Sequence, residues 1–203
     1  MSLNAISIVP TGGIVPQSLL IMLHGWGAEA KDLASLASML SLGDCQLILP
    51  EAPFPHPEVP GGRAWYVLDT PDYRGLSQSR KLLQNWLFSL ESQTGISLSR
   101  TVLAGFSQGG AMSLDVGLQL PLAGICSLSG YLHFQPQATQ FPCSSILIVH
   151  GIQDMVVPIQ AARQANNTLT DIGAMVEYHE FNGGHEISSI TLAILQQFIK
   201  KIC

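Results

Sequence analysis

The sequence predicts an α/β fold: a doubly wound, mostly parallel sheet with helices on both faces and no large cap domain. Strand-length apolar runs alternate with helix-length segments along the 203-residue chain, the pattern of βα units joined by right-handed crossovers. Hydrophobic residues make up 47% and charged residues only 11%, which excludes disorder as the main state. That balance suits strands covered on both sides, whose apolar runs are continuous. The length is natural for a single domain, 1–203, with a sizeable core.

The elements follow in order. Residues 5–9 allow an antiparallel strand at the N-terminal edge. Leu19-Leu20-Ile21-Met22-Leu23 is unbroken apolar sequence and is read as strand 18–23. Helix 31–41 leads to strand 46–50, built on Leu47-Ile48-Leu49. A short strand is placed near 64–68 and a long helix over 76–93. Thr101-Val102-Leu103-Ala104 forms strand 100–105, followed by helix 108–119 and strand 122–128. Ser145-Ile146-Leu147-Ile148-Val149-His150 reads as a buried strand, 145–150. Helix 159–172, strand 175–181 and helix 186–200 complete the alternation. Repeats, low-complexity tracts and charge runs are absent.

Strand 100–105 runs into Gly105-Phe106-Ser107-Gln108-Gly109, followed by helix-like sequence. Gly-x-Ser-x-Gly at a strand-to-helix turn forces the serine into a tight, strained conformation and exposes its Oγ at the carboxyl end of the sheet. The glycines are required because a Cβ at either position would strike the neighbouring strand or helix. The helix N-terminus that follows favours a developing oxyanion. Ser107 is therefore the candidate nucleophile.

A serine nucleophile needs a histidine base and a carboxylate that sets the tautomer of that base. In folds of this kind the chain order is Ser, then acid, then His. Asp154 lies in the loop after strand 145–150, at the same sheet edge as Ser107. Asp115 falls one turn into the helix after Ser107, on its outer side, and Asp171 sits near a helix end and is read as solvated. Among the histidines, His24, His56, His133 and His150 precede Asp154. His179 is mid-strand, whereas His185 follows in Asn182-Gly183-Gly184-His185-Glu186, a loop at the carboxyl edge. Asp154 and His185 are thus the candidate acid and base. The first strand ends in His24-Gly25-Trp26-Gly27, and backbone N–H groups of Trp26 and Gln108 are assigned as a pair of oxyanion donors. His24 is read either as a substrate-side residue or as a side chain that only stabilises its loop.

Taken together, these segments resemble the phospholipase/carboxylesterase family of small α/β-hydrolases, which includes acyl-protein thioesterases. The matching pieces are Leu23 to Gly27, Leu49-Pro50-Glu51-Ala52-Pro53, Gly61-Gly62 with Trp65-Tyr66, and Gly105 to Ala111. They continue through Leu128-Ser129-Gly130-Tyr131, His150-Gly151 with Asp154 and Val157-Pro158, and Gly183 to Glu186. The resemblance implies Ser107, Asp154 and His185 as a catalytic triad, with Trp26 and Gln108 at the oxyanion positions. Three departures border the substrate side. The spacing from Gly62 to Trp65 is short, Val67 replaces an aspartate common in the family, and Trp26 stands where leucine is frequent.

Two loops complete the expected substrate side. Residues 53–60 carry four prolines and are read as a stiff, extended wall. Residues 131–144 carry Leu132, Phe134 and Phe141, which either pack on the core rim or form an acyl-pocket wall or a dimer face. Trp65, Phe134 and Phe141 join His24 as substrate-binding candidates.

The net charge of −5 without a basic patch argues against a nucleic-acid partner. Cys45, Cys126, Cys143 and Cys203 show no metal-like or paired spacing, so no metal and no disulfide framework are expected. The N-terminus lacks a secretory pattern, and no apolar run reaches bilayer length, which places the chain in the cytoplasm without integral membrane association, as monomer or homodimer. The expected function is a cofactor-free serine carboxylesterase that hydrolyses short- to medium-chain acyl esters through an acyl-serine. An acyl-protein thioesterase or lysophospholipase of the same fold, and a catalytically silent binding protein, are the alternatives.

Overall fold

The computed structural model describes residues 3–37, 39–68, 70, 72–136 and 145–203. In chain order these form β1 (Ala5–Ile8), β2 (Ser18–Leu23), α1 (Ala30–Ala37), β3 (Cys45–Pro50), β4 (Phe54–Pro55) and β5 (Arg63–Ala64). Then come α2 (Leu76–Thr94), β6 (Thr101–Phe106), α3 (Gln108–Gly117), β7 (Gly124–Leu128) and β8 (Ser145–Gly151). Last are α4 (Ile159–Asp171), β9 (Val176–Phe181) and α5 (Ser189–Ile202). Seven strands form one sheet in the order β1-β3-β2-β6-β7-β8-β9. Only β1 is antiparallel to its neighbour.

Alternation along each strand divides the core into two layers. Leu19, Ile21 and Leu23 of β2 face one side, where Leu87 of α2, Met112 of α3 and Leu169 of α4 cover them. Leu20 and Met22 face the other, against Leu33 of α1 and Leu195 and Phe198 of α5. No cap domain stands over the sheet among the described residues. No described helix is long and apolar enough to cross a membrane.

Strand order reverses beside β2, because the chain leaves it on one side to β3 and returns on the other as β6. A crevice opens at the carboxyl ends of the strands at such a switch point. The loops that follow β2 and β6 border it, and they carry Trp26 and Ser107.

Four local features differ from the sequence expectation. The strand near 64–68 is only Arg63–Ala64, and it pairs with Phe54–Pro55 rather than joining the main sheet. The reason is a side chain: Trp65 N–H donates to Gln108 Oε1 at 2.9 Å, and Gln108 Nε2 donates to Tyr66 O at 2.9 Å. These backbone groups need no strand partner. The proline-rich segment is correspondingly a hairpin arm that folds back on Arg63, not an extended wall throughout. Helix α5 begins later than expected, at a Ser188 cap whose Oγ accepts from Thr191 N at 3.2 Å.

Asp115 is the fourth difference, for it does not point to solvent. Its carboxylate takes a forked pair of bonds from Arg80 of α2, with Nη2 at 2.7 Å from Oδ1. His133 Nδ1 lies 3.4 Å from Oδ2. Burial alone would raise this carboxyl, but His133 and Arg80 outweigh it and hold it below its ordinary value. A carboxyl depressed in the folded state adds stability that is complete above the ordinary range near 4. That stability is lost as pH falls through the folded value. Asp115→Asn should therefore cost about 2 kcal/mol at neutral pH. Thermal melts of the two proteins should draw together as pH falls below the ordinary carboxylate range, and a gap unchanged by acid would assign the loss to packing instead.

Candidate active site

The nucleophile turn begins with backbone geometry. Ser107 adopts φ 55° and ψ −117°, a region that costs a non-glycine residue about 1–3 kcal/mol. The strain is held from both sides, because Ser107 N–H donates to Leu128 O at 2.8 Å and Ser107 O accepts from Ala111 N at 3.0 Å. A Cβ on Gly105 would overlap the backbone of Gly109, and one on Gly109 would overlap Leu23 O and His24 O. Strand, turn and helix can approach this closely only with glycine at both places.

Two further loops bring partners to this serine. Gly151, at the end of β8, packs so tightly on Gly183 and Gly184 that a side chain there would overlap their backbone. Gln153 N–H donates to Gly183 O at 2.9 Å and Ile152 N–H to Phe181 O at 2.9 Å. The loop after β8 is thus stitched to the loop after β9. His185 Nε2 stands 2.9 Å from Ser107 Oγ, and its Nδ1 stands 2.7 Å from Asp154 Oδ2. With Nδ1–H donating to the carboxylate, Nε2 is free to accept from the serine hydroxyl.

Asp154 is fixed on its other oxygen as well. Oδ1 accepts from Val156 N at 2.9 Å and Val157 N at 2.8 Å. Burial pushes this carboxyl up, yet the His185 bond and the two N–H donors prevail and hold it below its ordinary value. Asp154 therefore stays ionised through the neutral range. His150, set aside as a base on chain order, packs behind it. Its Nε2–H donates to Val157 O at 2.7 Å and lies 3.3 Å from Asp154 Oδ2. Its position four residues before Asp154 was visible in the sequence, but the folding back of the loop was not.

On the opposite side of Ser107 runs the loop after β2. A Cβ on Gly25 would come within 3.3 Å of Ser107 Cβ, so the backbone there passes directly beside the serine. Gln108 is the first residue of α3, where helix N–H groups lack intrahelical acceptors. Neither Trp26 N–H nor Gln108 N–H donates to an acceptor among the described residues. The Gln108 side chain is turned away into the core, clamping Trp65 and Tyr66.

Ser107 and His185 open onto a cleft of about 580 Å³ whose walls include Trp26, Leu68, Leu132, Val156 and Pro158. Its lining is chiefly apolar, as a site for an acyl or other hydrocarbon group requires. Tyr131 also borders it, its hydroxyl 2.6 Å from that of Tyr66. Leu68, Tyr131, Val156 and Pro158 were missed as cleft residues because loop sequence carries no periodic signal of which side faces inward.

The structure takes three of the expected substrate contacts off the cleft, and for His24 it selects the second of the two readings, support of its own loop. His24 is fully buried: its Nδ1–H donates to Gly25 O at 2.9 Å and its Nε2 accepts from Ala52 N at 3.1 Å. Burial lowers the pKa of this ring, and it serves its loop rather than the cleft. Trp65 is also fully buried, with Nε1–H donating to His24 O at 3.0 Å. Phe134 is exposed and lies against the Arg80 guanidinium, 5.2 Å from the ring centre, along an adjoining groove that shares Tyr131, Leu132 and Ala161 with the cleft. Phe141 falls outside the described residues.

Comparison with known proteins agrees with this architecture. A family model described as Phospholipase/Carboxylesterase matches residues 4–203. Acyl-protein thioesterase 1 of Mycosarcoma maydis is 28% identical over 233 residues, spanning 98% of this chain and 97% of that protein. Lysophospholipase-like protein 1 of Mus musculus is 26% identical over 216 residues, spanning 95% and 89% respectively. A crystal structure of esterase PE8 matches with a TM-score of 0.92 and 30% identity over 100% of both chains.

Proposed function

This chain belongs to the phospholipase/carboxylesterase family of α/β-hydrolases, and we propose that it is a cytoplasmic, single-domain serine carboxylesterase that acts on short- to medium-chain acyl esters. The observation that carries this reading is the hydrogen-bonded line from Ser107 through His185 to Asp154, at 2.9 and 2.7 Å, opening on an apolar cleft. Ser107 Oγ attacks the ester carbonyl while His185 Nε2 takes its proton. The oxygen that becomes negative is met by the N–H groups of Trp26 and Gln108. Collapse of the tetrahedral adduct expels the alcohol, which receives the proton from His185 and leaves acyl-serine. Water then attacks that ester with His185 again as base, and Ser107 is released with the carboxylic acid.

An acyl-protein thioesterase or lysophospholipase activity is the second reading, favoured by the names of the similar proteins from Mycosarcoma maydis and Mus musculus. The two readings share the chemistry and differ in the length and partner of the acyl group. Labelling by a fluorophosphonate should add one adduct to Ser107. Absence of that adduct would leave the silent, binding-only alternative.

Acyl length separates the remaining readings. Each methylene buried is worth about 0.8 kcal/mol, or roughly fourfold in kcat/KM. The gain ends where the pocket ends. Trp26 lines the cleft, and on the short- to medium-chain reading kcat/KM measured on a series of soluble esters should climb and then stop well short of palmitoyl length. A steady climb to palmitoyl, together with efficient turnover of a palmitoyl thioester, would establish the thioesterase reading in its place.

A further inference from the structure

We propose that His56 is a positioning residue for the oxyanion donor on the loop after β2, acting through the turn that it fastens at 56–59. This inference rests on the esterase reading and on the role given there to Trp26. The residues involved lie outside the triad.

The turn follows from the prolines. Between Pro57 and Pro60 only Glu58 and Val59 possess a backbone N–H. Both donate to a single atom, His56 Nδ1, at 3.1 and 2.9 Å. An imidazole nitrogen that accepts carries no proton, so the ring is neutral with its hydrogen on Nε2. The same turn is closed by His56 N–H to Gly62 O at 2.7 Å and Gly62 N–H to Val59 O at 3.0 Å. His56 thus supplies, from its side chain, the acceptor that a proline-rich turn has no backbone group to offer.

This turn forms the outer support of the oxyanion loop. Gly27 N–H donates to Arg63 O at 2.9 Å, and Arg63 N–H donates to Ala28 O at 3.0 Å. A Cβ on Gly62 would overlap Gly27 O. A Cβ on Gly27 would meet His56 Cδ2 at 3.4 Å and Val59 Cγ2 at 3.5 Å, so the ring and Val59 both pack directly on Gly27. The His56 ring also meets Trp26 edge to face, with centroids 4.5 Å apart. On the inner side the loop is held by His24 and Ala52, as described. On the outer side it is held by this turn. Gly27 has φ +77°, and the Trp26 N–H lies in the peptide one residue before the Trp26–Gly27 unit that the turn holds, so a shift of the turn is passed through Trp26 to that N–H.

An oxyanion donor must lie about 2.7–3.1 Å from an oxygen that exists only during reaction. A misplacement near 1 Å can cost on the order of 10²-fold. Loss of His56 should therefore lower kcat rather than weaken substrate binding.

The test compares three substitutions, each with kcat and KM for a short ester and a thermal melt. His56→Ala removes ring and acceptor. His56→Asn keeps an acceptor near the place of Nδ1, since Oδ1 can take the two N–H bonds. His56→Phe keeps a ring and removes the acceptor. Expected is a fall in kcat of roughly 10- to 100-fold for His56→Ala, with KM changed less than about threefold and most of the loss restored in His56→Asn. If His56→Ala does not fold, His56→Asn should still exceed His56→Phe in kcat. The proposal is overturned if His56→Ala retains kcat within about twofold, if only KM moves, or if Asn does no better than Phe. Wild-type turnover and its loss in Ser107→Ala test the esterase reading separately, so failure of one is not mistaken for failure of the other.

Discussion

Ser107→Ala and His185→Ala should each lower kcat on the order of 10⁴-fold or more, and the double variant should lose little beyond either single one. The geometry makes the two residues one device. Ser107 Oγ is activated only by transfer of its proton to His185 Nε2, 2.9 Å away, and a histidine without that hydroxyl has no nucleophile to serve. What remains in all three variants is the cleft and the oxyanion donors, which still favour attack by water to a small extent. Steady-state kinetics on a soluble ester, with melts to confirm folding, checks this. The rival base is His179, whose Nε2 lies 3.1 Å from Glu177 Oε1 on β9. Near-normal turnover in His185→Ala, with loss in His179→Ala, would show that the base was misassigned.

Asp154→Asn should be nearly as damaging, about 10⁴-fold in kcat, although it changes one atom's chemistry. The two oxygens of Asp154 have different duties. Oδ1 receives Val156 N–H and Val157 N–H, so an asparagine there must place its carbonyl oxygen at that position. Its NH₂ then occupies the place of Oδ2, facing His185 Nδ1 at 2.7 Å. A donor at that point requires Nδ1 to accept, which moves the ring proton to Nε2 and removes the acceptor that Ser107 needs. The same NH₂ would face the Nε2–H of His150, 3.3 Å from the present oxygen. Substrate binding should change little, so the loss falls in kcat. Turnover within tenfold of wild type would mean that Asp154 does not set the tautomer.

Much of the fold was legible because the signals are local. The run Leu19 to Leu23 and the run Ile146 to Val149 can be satisfied only as strands covered on both faces, and they form β2 and β8. Gly105 and Gly109 marked a turn that no other residue type could make, and its φ at Ser107 is the expected outlier. Chain order then narrowed the acid and base to loops at one sheet edge. The proposed triad, Ser107, Asp154 and His185, could be named on that basis.

The misreadings have a common cause as well. Trp65 was read as a substrate contact and His24 as either a substrate contact or a support of its loop, and burial and mutual hydrogen bonding take both into the core. The strand expected near 64–68 gave way to a side-chain clamp from Gln108, more than forty residues distant in sequence. Asp115 was placed toward solvent by helix position alone, whereas Arg80 on a different helix supplies its partner.

From sequence alone came the α/β class, the strands, the nucleophile turn and the edge of the sheet at which chemistry can occur. Those features depend on backbone conformation and on the period of apolar residues, and both are written in neighbouring positions. Tertiary structure determined which loop side chains face the cleft, which turn inward, and how His150, Gln108 and His56 reach the site. Loops have no repeating period. Where their side chains point depends on backbones brought within van der Waals contact by the rest of the fold, as Gly151 is against Gly183 and Gly62 against Gly27.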